Sequence, residues 1–428
     1  MNPILQAREA RHEHVQQLMR QYPDCSVVIL KTNVVGTNKN PVHMRFICSF
    51  FNDLVHRTFG AKIQLHGRQE SADGNYCFYV INEVGTLVKE RTIELEEYNS
   101  IGRLIDLDVY YKKPISRQDL QCATRTCLLC DNFAHICSRN KTHSDDEIHQ
   151  KIQEITCDFL IDYLTNITIK AIYSELELYP KFGLVSHRDN GCHLDMNYET
   201  FIRSTFALKP FISRYIEEGC NDNINPKKLQ QIGQQAEAKM FQVTAGINTQ
   251  KGLIFALGVF LPVLTKNIIQ HNNEAQFIQD IQELSRAIVG SYYEQLTEET
   301  ATSHGDYIYL EHGLKGIRGE ACRGFQCIFD IPTIVHHDDD VTHHGYLLRL
   351  MAVIDDTTIV HKTSIKTLRT VQQEVQQFLD NGGYLENKES FIHLSDTYKQ
   401  QCISPGGSAD LLVLKIIYEQ IKHLLKHD

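Results

Sequence analysis

The 428-residue chain carries a net charge of −10, with 42% hydrophobic and 22% charged residues. That length holds two or three domains with substantial cores, in ordinary globular proportions, and the acidic balance excludes a general nucleic-acid binder, whose footprint is basic. Thirteen cysteines, and a start, "MNPILQAREARHEH", that turns charged before any signal-like apolar run, lead to the expectation of reduced thiols in a cytoplasmic protein.

In the first third, strand and helix signals alternate. "CSVVILKTNVVG" (Cys25 to Gly36) is β-branched and ends in a glycine turn, as a buried strand does. "PVHMRFICSFFNDLVHRTFG" (Pro41 to Gly60) has helical spacing between a starting proline and a closing glycine. "NYCFYVIN" and "RLIDLDVYY" read as further strands, giving an α/β (α+β) domain over residues 1–145. Beyond "RNKTHSDDEIHQ" (Arg139 to Gln150) come long amphipathic segments. These are Glu147–Leu164, Tyr198–Glu217, Pro226–Thr244, Leu347–Val360, Ile365–Leu379 and Asp410–Leu425. They predict a larger, all-α domain over 158–428. "GLIFALGVFLPVL" (Gly252 to Leu264) is shorter than the roughly 20 residues of a membrane span and reads as a buried helix, so no membrane is expected.

Three features of the first domain carry chemistry. "VVGTNKN" sets Gly36 and Lys39 in a turn after a strand, which is either an ordinary turn or a phosphate holder. "GRLIDLDVYY" puts Asp106 and Asp108 on one strand face among apolar neighbours; such a pair repels itself unless a divalent cation intervenes. "RTCLLCDNFAHICSRNKTH" offers Cys127, Cys130, Cys137 and His143, either zinc ligands or packed free thiols. Around them Arg103, Lys112, Lys113, Arg117, Arg125, Arg139 and Lys141 form a local basic patch suited to a polyphosphate or an acidic protein partner.

In the second domain, polar residues gather at loop–helix junctions. "YPKFGLVSHRDNGCHLDM" offers Lys181, Ser186, Asp189, His193 and Asp195; "AGINTQKG" offers Asn248, Thr249 and Lys251. "HGLKGIRGEACRGF" offers Arg318 and Glu320, and "VIDDTT" offers Asp355 and Asp356. "SPGGSADLL" offers Ser404, Gly406, Gly407, Ser408 and Asp410. Each piece alone is a cap or turn; together they predict a pocket holding a metal-chelated triphosphate. The glycine-rich stretch reads both as a serine-capped helix start and as a phosphate cradle.

"YPKFGLVS", "GCHLDM", "AGINTQKG", "GIRGEA", "DDT" and "SPGGSADLL" resemble, in order, the triphosphoribosyl-dephospho-CoA synthases over residues 158–425. "AREAR", "VVGTNK", "TIELEEYNSIGRLIDLDVY", "SRQD" and "RTCLLC…C.RNKTH" resemble the holo-acyl-carrier-protein synthases of citrate lyase, the apo-citrate lyase phosphoribosyl-dephospho-CoA transferases. The chain thus looks like a fusion of two consecutive enzymes. It departs from the patterns at Val35-Gly36 (commonly Pro-Gly), Phe182 (Pro), Gln250 (His) and Thr358 (Asn).

The resemblance implies that the second domain uses ATP and 3′-dephospho-CoA to make 2′-(5″-triphosphoribosyl)-3′-dephospho-CoA and adenine. The first domain then transfers the group to a serine of the citrate lyase acyl carrier (gamma) subunit, releasing pyrophosphate. It implies Mg2+ at Asp106 and Asp108 in one half, and at Asp189, Asp356 and Asp410 in the other. Asp195, Glu320 and Asp410 would serve catalysis. Phosphate would fall to Gly36, Lys39, Arg103, Lys181, His193, Asn248, Lys251, Arg318 and the Gly406-Gly407-Ser408 turn. Two alternatives stay open: a silent, nucleotide-binding second domain, and a generic metal-dependent nucleotide hydrolase.

Overall fold

In a computed structural model, residues 2–34, 36, 38–271 and 273–425 are described; Val35 and Thr37 of the "VVGTNK" turn lie outside them. The chain divides into two compact units. One comprises 1–159 with segments 268–272 and 424–428; the other comprises 160–267 and 273–423.

The first unit is built from α1 (Pro3–Gln21), β1 (Ser26–Thr32), α2 (Val42–Phe59), β2 (Ile63–Gln69), β3 (Tyr76–Ile81), α3 (Gly85–Glu96), β4 (Ile105–Tyr111), β5 (Lys113–Ile115) and α4 (Ala134–Asn140). The strands form one sheet in the order β2-β3-β1-β4-β5, with every pairing antiparallel. The strands expected from "SVVIL", "YCFYVI" and "IDLDVYY" are β1, β3 and β4. Central β1 is buried on both faces, which explains its unbroken apolar run. Val15 and Leu18 of α1 pack with Val27, Ile29, Tyr76, Phe78 and Val80 on one sheet face.

The chain continues through α5 (Asp145–Glu177), α6 (Tyr198–Gly219), α7 (Pro226–Val243), α8 (Lys251–Lys266), α9 (Glu274–Val289), α10 (His304–His312), α11 (Gly316–Cys322) and α12 (Gln326–Asp330). It ends with α13 (Asp339–Val353), α14 (Thr357–Lys362), α15 (Ile365–Asp380), α16 (Gly383–Glu386), α17 (Lys388–Gln400) and α18 (Gly406–Leu425). The second unit is helical among its described residues. α8 is apolar nearly all round and packs against α6, α7 and α9. With the π turn at Asn267–His271 it makes a 21-residue stretch that passes a membrane-span test by length and composition, but 78% of its most apolar window is buried in the protein.

One expected helix is two. Leu347–Val360 breaks between α13 and α14 because Asp356 accepts a hydrogen bond from the Thr358 amide at 3.0 Å and starts a new helix.

Candidate functional site

In the second unit, the motif loops meet at helix starts. Asp356, 1% exposed, accepts hydrogen bonds at Oδ2 from the Ser408 amide (2.8 Å) and hydroxyl (3.0 Å), and another from the Gly407 amide. It therefore caps α14 and α18 together. A Cβ at Gly407 would lie 3.3 Å from its carboxylate, and one at Gly406 2.8 Å from Thr358 Oγ1. The turn expected to cradle a phosphate is thus filled by a protein carboxylate. Burial raises the Asp356 pKa, against the pull of these donors.

One turn further along α18, Asp410 is differently placed. Its Oδ2 would sit only 2.1 Å from a Cβ at Gly252, in the first turn of α8. Glycine is required there for the carboxylate to reach the helix. None of the described residues donates a hydrogen bond to Asp410. Burial, then the Asp356 and Glu175 charges, push its pKa well above the carboxylate range. The positive end of α8 supplies a partly compensating field.

Glu175, at the end of α5, holds Lys181: Nζ donates to its Oε1 and its carbonyl, both at 2.7 Å. Lys181 is 3% exposed, and burial lowers its pKa. Asp189 binds Lys399 at 3.0 Å and accepts from the Gly191 amide at 2.7 Å.

His193 approaches from the same loop as Asp189. Its Nε2 hydrogen-bonds Ser404 at 3.1 Å, and Lys362 Nζ lies 3.1 Å from Nε2 and 3.3 Å from Nδ1. Burial first, then the ammonium, lower its pKa to about 4, so the ring is neutral near pH 7. Asp195, largely exposed, stands 3.9 Å from Nδ1.

Other predicted residues have different company. Asn248 accepts from the Lys251 amide at 3.2 Å, and Lys251 pairs with Glu237 at 3.1 Å. Arg318 lies over the Tyr292 ring, 4.6 Å from its centroid, and 3.4 Å from buried Asp306. Glu320 binds Arg323 and adjoins Cys327. Gln250 is buried in the packing: Ser204 donates to its Oε1 at 2.7 Å, and its Nε2 donates to Thr205 at 3.2 Å. No polar group is orphaned by glutamine at that position. Lys362 and Glu175 were not singled out in the sequence, since neither falls in a glycine-punctuated motif.

In the first unit, Asp106 and Asp108 share a face of β4, register-paired with Lys31 and Ile29 of β1. They line a cleft of about 280 Å³ with Lys89, Glu96, Tyr110, Arg117 and Arg125. Arg125 binds Asp106 at 2.9 Å and Glu96 at 2.9 Å, while Arg117 binds Glu96 at 2.7 Å and Glu97 at 2.6 Å. Burial raises both aspartate pKa values, most directly opposed by Arg125 at Asp106 and by Lys89 at Asp108. Asp108, exposed and without an ion pair among the described residues, is the open carboxylate of the two. Lys89 is buried and donates to the Leu107 carbonyl at 2.9 Å. It and Glu96 lie seven apart on α3, a spacing that could have marked a shared face.

Arg103 donates to the Thr126 carbonyl, and Lys39 Nζ to the Val34 carbonyl at 2.9 Å. Gly36 lies next to His149, with the imidazole 3.4 Å from where its Cβ would be. Both arginines of "AREAR" converge with Lys31 on buried Asp73, at 3.0, 2.9 and 2.6 Å.

Cys127, Cys130, Cys137 and His143 place their ligand atoms within 4.8 Å of one another. Among the described residues no other group of three or more potential ligands does so, and Asp189, Asp356 and Asp410 form no such cage.

The comparisons with known proteins follow this division. Residues 1–159 match the family model for apo-citrate lyase phosphoribosyl-dephospho-CoA transferase, and 161–428 match that for ATP:dephospho-CoA triphosphoribosyl transferase. The protein named CitXG from Haemophilus influenzae is 30% identical, across 98% of this chain and 95% of its own length.

The chain belongs to the CitXG family.

A second CitXG protein, from Leuconostoc mesenteroides subsp. cremoris, is 28% identical across 98% of this chain and 96% of its own length. A 2-(5″-triphosphoribosyl)-3′-dephosphocoenzyme-A synthase from Haemophilus ducreyi is 31% identical, matching 68% of this chain and 98% of itself. This CitXG-family chain is a bifunctional transferase of citrate lyase prosthetic-group biosynthesis, and ATP and dephospho-CoA fit the synthase family as substrates.

Proposed function

We propose that the second unit joins the 2′-hydroxyl of 3′-dephospho-CoA to the ribose C1′ of ATP and expels adenine, and that Asp410 accepts the hydroxyl proton. The observation that carries this reading is the Asp410 carboxylate itself: partly buried, without a hydrogen-bond donor among the described residues, and with a raised pKa. A raised pKa makes the carboxylate a stronger proton acceptor than an ordinary aspartate, and a carboxylate there also stabilises the positive charge that develops as the glycosidic bond breaks. Asp356 acts one step back, holding the α14 and α18 starts so that Asp410 faces Gly252. Lys181 and Lys251, with the His193–Lys362 pair, take the triphosphate. Asp195 at the His193 edge and Asn248 before α8 would join the substrate-facing set, while Arg318 and Glu320 act from behind it, held by Asp306 and Arg323. Asp189, Asp356 and Asp410 form no ligand cage, so Asp410 stays free as the base when magnesium arrives on ATP. The fully hydrogen-bonded Asp356 has little capacity left for a metal, so phosphate oxygens and water would fill most of the sphere.

In the first unit, a serine hydroxyl of the citrate lyase acyl carrier subunit attacks the phosphate on the ribosyl 5′-oxygen, and pyrophosphate leaves. Asp108 and Asp106 would hold magnesium against that pyrophosphate. Arg103, Arg117, Arg125 and Lys89 offset its charge, with Gly36 and Lys39 at the neighbouring turn. The surrounding basic residues suit an acidic carrier partner, and the whole sequence of steps belongs to the cytoplasm.

The test is to incubate the chain with ATP, Mg2+ and dephospho-CoA and to follow free adenine. Adenine released only when dephospho-CoA is present supports the reading. Nucleotide bound without adenine release would make the second unit a scaffold, and phosphate release without dephospho-CoA would make it a hydrolase.

A further inference from the structure

We propose that Cys127, Cys130, Cys137 and His143 bind one structural zinc ion that pins the basic wall of the Asp106–Asp108 cleft. The separation of the ligand atoms is the first support. Cys130 Sγ lies 3.5 Å from Cys137 Sγ and 3.4 Å from His143 Nε2, and all four atoms fall within 4.8 Å. Zinc–sulfur bonds of about 2.3 Å and a zinc–nitrogen bond of about 2.0 Å, set tetrahedrally, require edges of roughly 3.5–3.8 Å. A disulfide needs sulfurs about 2.05 Å apart, far closer than this pair.

Local backbone structure is the second support. Thr126 bridges Phe133, the Cys127 amide donates to the Asn132 carbonyl at 2.7 Å, and the Ala134 amide donates to that of Arg125 at 3.0 Å. The resulting small hairpin turns the Leu129 amide toward Cys127 Sγ at 3.5 Å, an arrangement that stabilises a thiolate. α4 then carries Cys137 inward, and the Thr142 amide closes back on the Cys137 carbonyl at 3.1 Å to bring in His143. Three sulfurs and one imidazole leave no open position, which marks a structural rather than a catalytic ion.

The third support is what else could order this segment. From Gln121 to His143 only Cys137 is buried. Apolar packing therefore contributes little, and a metal clip is the remaining means of fixing a chain this polar. What it fixes is chemically useful: the base of the hairpin presents Arg125 to Asp106 and Glu96, and Thr126 to Arg103. That consequence rests on the transferase reading of the cleft; the metal site itself does not.

The test is metal analysis of the full-length protein, purified without added chelator, beside Cys130→Ser, Cys137→Ser and Cys25→Ser, the last lying outside the cluster. About one zinc per chain in the wild type and in Cys25→Ser, with at least a tenfold lower content in the two cluster variants, is expected. Replacement by cobalt should give the intense visible bands of a tetrahedral thiolate site. Carrier modification should fall in Cys130→Ser while adenine release stays at the wild-type level. Metal-free wild-type protein, equal zinc in all variants, or a Cys130–Cys137 disulfide after anaerobic alkylation would each overturn the site. Because zinc content is read directly, a failed transferase assay leaves this result standing, and the reverse also holds.

Discussion

Asp410 Oδ2 lies against the backbone of Gly252, so close that a methyl group on that glycine would approach it to 2.1 Å. Two helix starts distant in sequence, α8 and α18, therefore meet through one carboxylate and one missing side chain. Gly252→Ala must displace either Asp410 or the end of α8 by about an ångström. A displacement of that size costs roughly a hundredfold in rate where a reacting group is being positioned. Adenine release should fall by about that factor while the helical circular-dichroism signal stays unchanged, and unimpaired release would separate this contact from catalysis.

Asp410→Asn should move activity and stability in opposite directions. The folded pKa is raised, so the stability linked to protonated Asp410 is fully present below the ordinary value of 3.8 and is lost as pH rises through the folded value. At pH 7, above the ordinary value, part of that stability is gone, a loss the amide does not suffer. The variant should melt a few degrees higher at pH 7, with no gain at pH 3, and should release almost no adenine. Thermal melts at the two pH values, run beside the adenine assay, check both halves of the expectation.

His193 titrates in the other direction. Its folded pKa of about 4 lies below the ordinary 6.5, so its contribution is present above 6.5 and lost as pH falls through 4. Lys362→Met removes the neighbouring ammonium and should raise the His193 pKa, which NMR titration of the ring protons would register. An unchanged midpoint would mean that burial alone sets it.

In the first unit the two β4 aspartates should not behave alike. Asp106 is bound by Arg125, whereas Asp108 is exposed and has no ion pair among the described residues. Asp108→Asn should abolish pyrophosphate release from ready-made triphosphoribosyl-dephospho-CoA with little change in melting temperature. Asp106→Asn should lower both activity and melting temperature, since it leaves the Arg125 guanidinium short of a partner. Equal melting temperatures for the two variants would contradict the asymmetry.

Asp73 is the expected stability determinant. Burial opposes its charge, yet Lys31, Arg11 and Arg8 together hold its pKa down to about 2. The linked stability is present above 3.8 and disappears as pH falls through 2. Asp73→Asn leaves three cations facing an amide and should cost about 2 kcal/mol, measured by urea denaturation at pH 7.

The sequence made legible what repeats or contrasts along the chain. The unbroken apolar run of β1 marks a strand buried on both faces, while the alternating Asp106–Asp108 strand and the amphipathic spans of α6, α7 and α15 carry a period that burial imposes. β2 was missed because "IQLHGRQ" is only partly buried and carries no apolar run, and β5 is only three residues long. The α13–α14 break was hidden because the apolar spacing runs on across Asp355-Asp356, so the Asp356 N-cap falls inside one continuous amphipathic pattern. Close backbone approach was legible in the paired glycines Gly406-Gly407, although the turn expected to cradle a phosphate holds the Asp356 carboxylate instead. The supporting charges were not: Lys362, Glu175, Lys89 and Asp73 derive their meaning from partners brought together only by the fold.

The most direct measurement is the intact mass of apo-acyl carrier subunit after incubation with this chain, ATP, Mg2+ and dephospho-CoA. A gain equal to one phosphoribosyl-dephospho-CoA group, absent with Asp410→Asn and restored when that variant is given ready-made triphosphoribosyl-dephospho-CoA, is the predicted result. A carrier mass that stays unchanged with wild-type protein while all substrates remain intact would contradict the account.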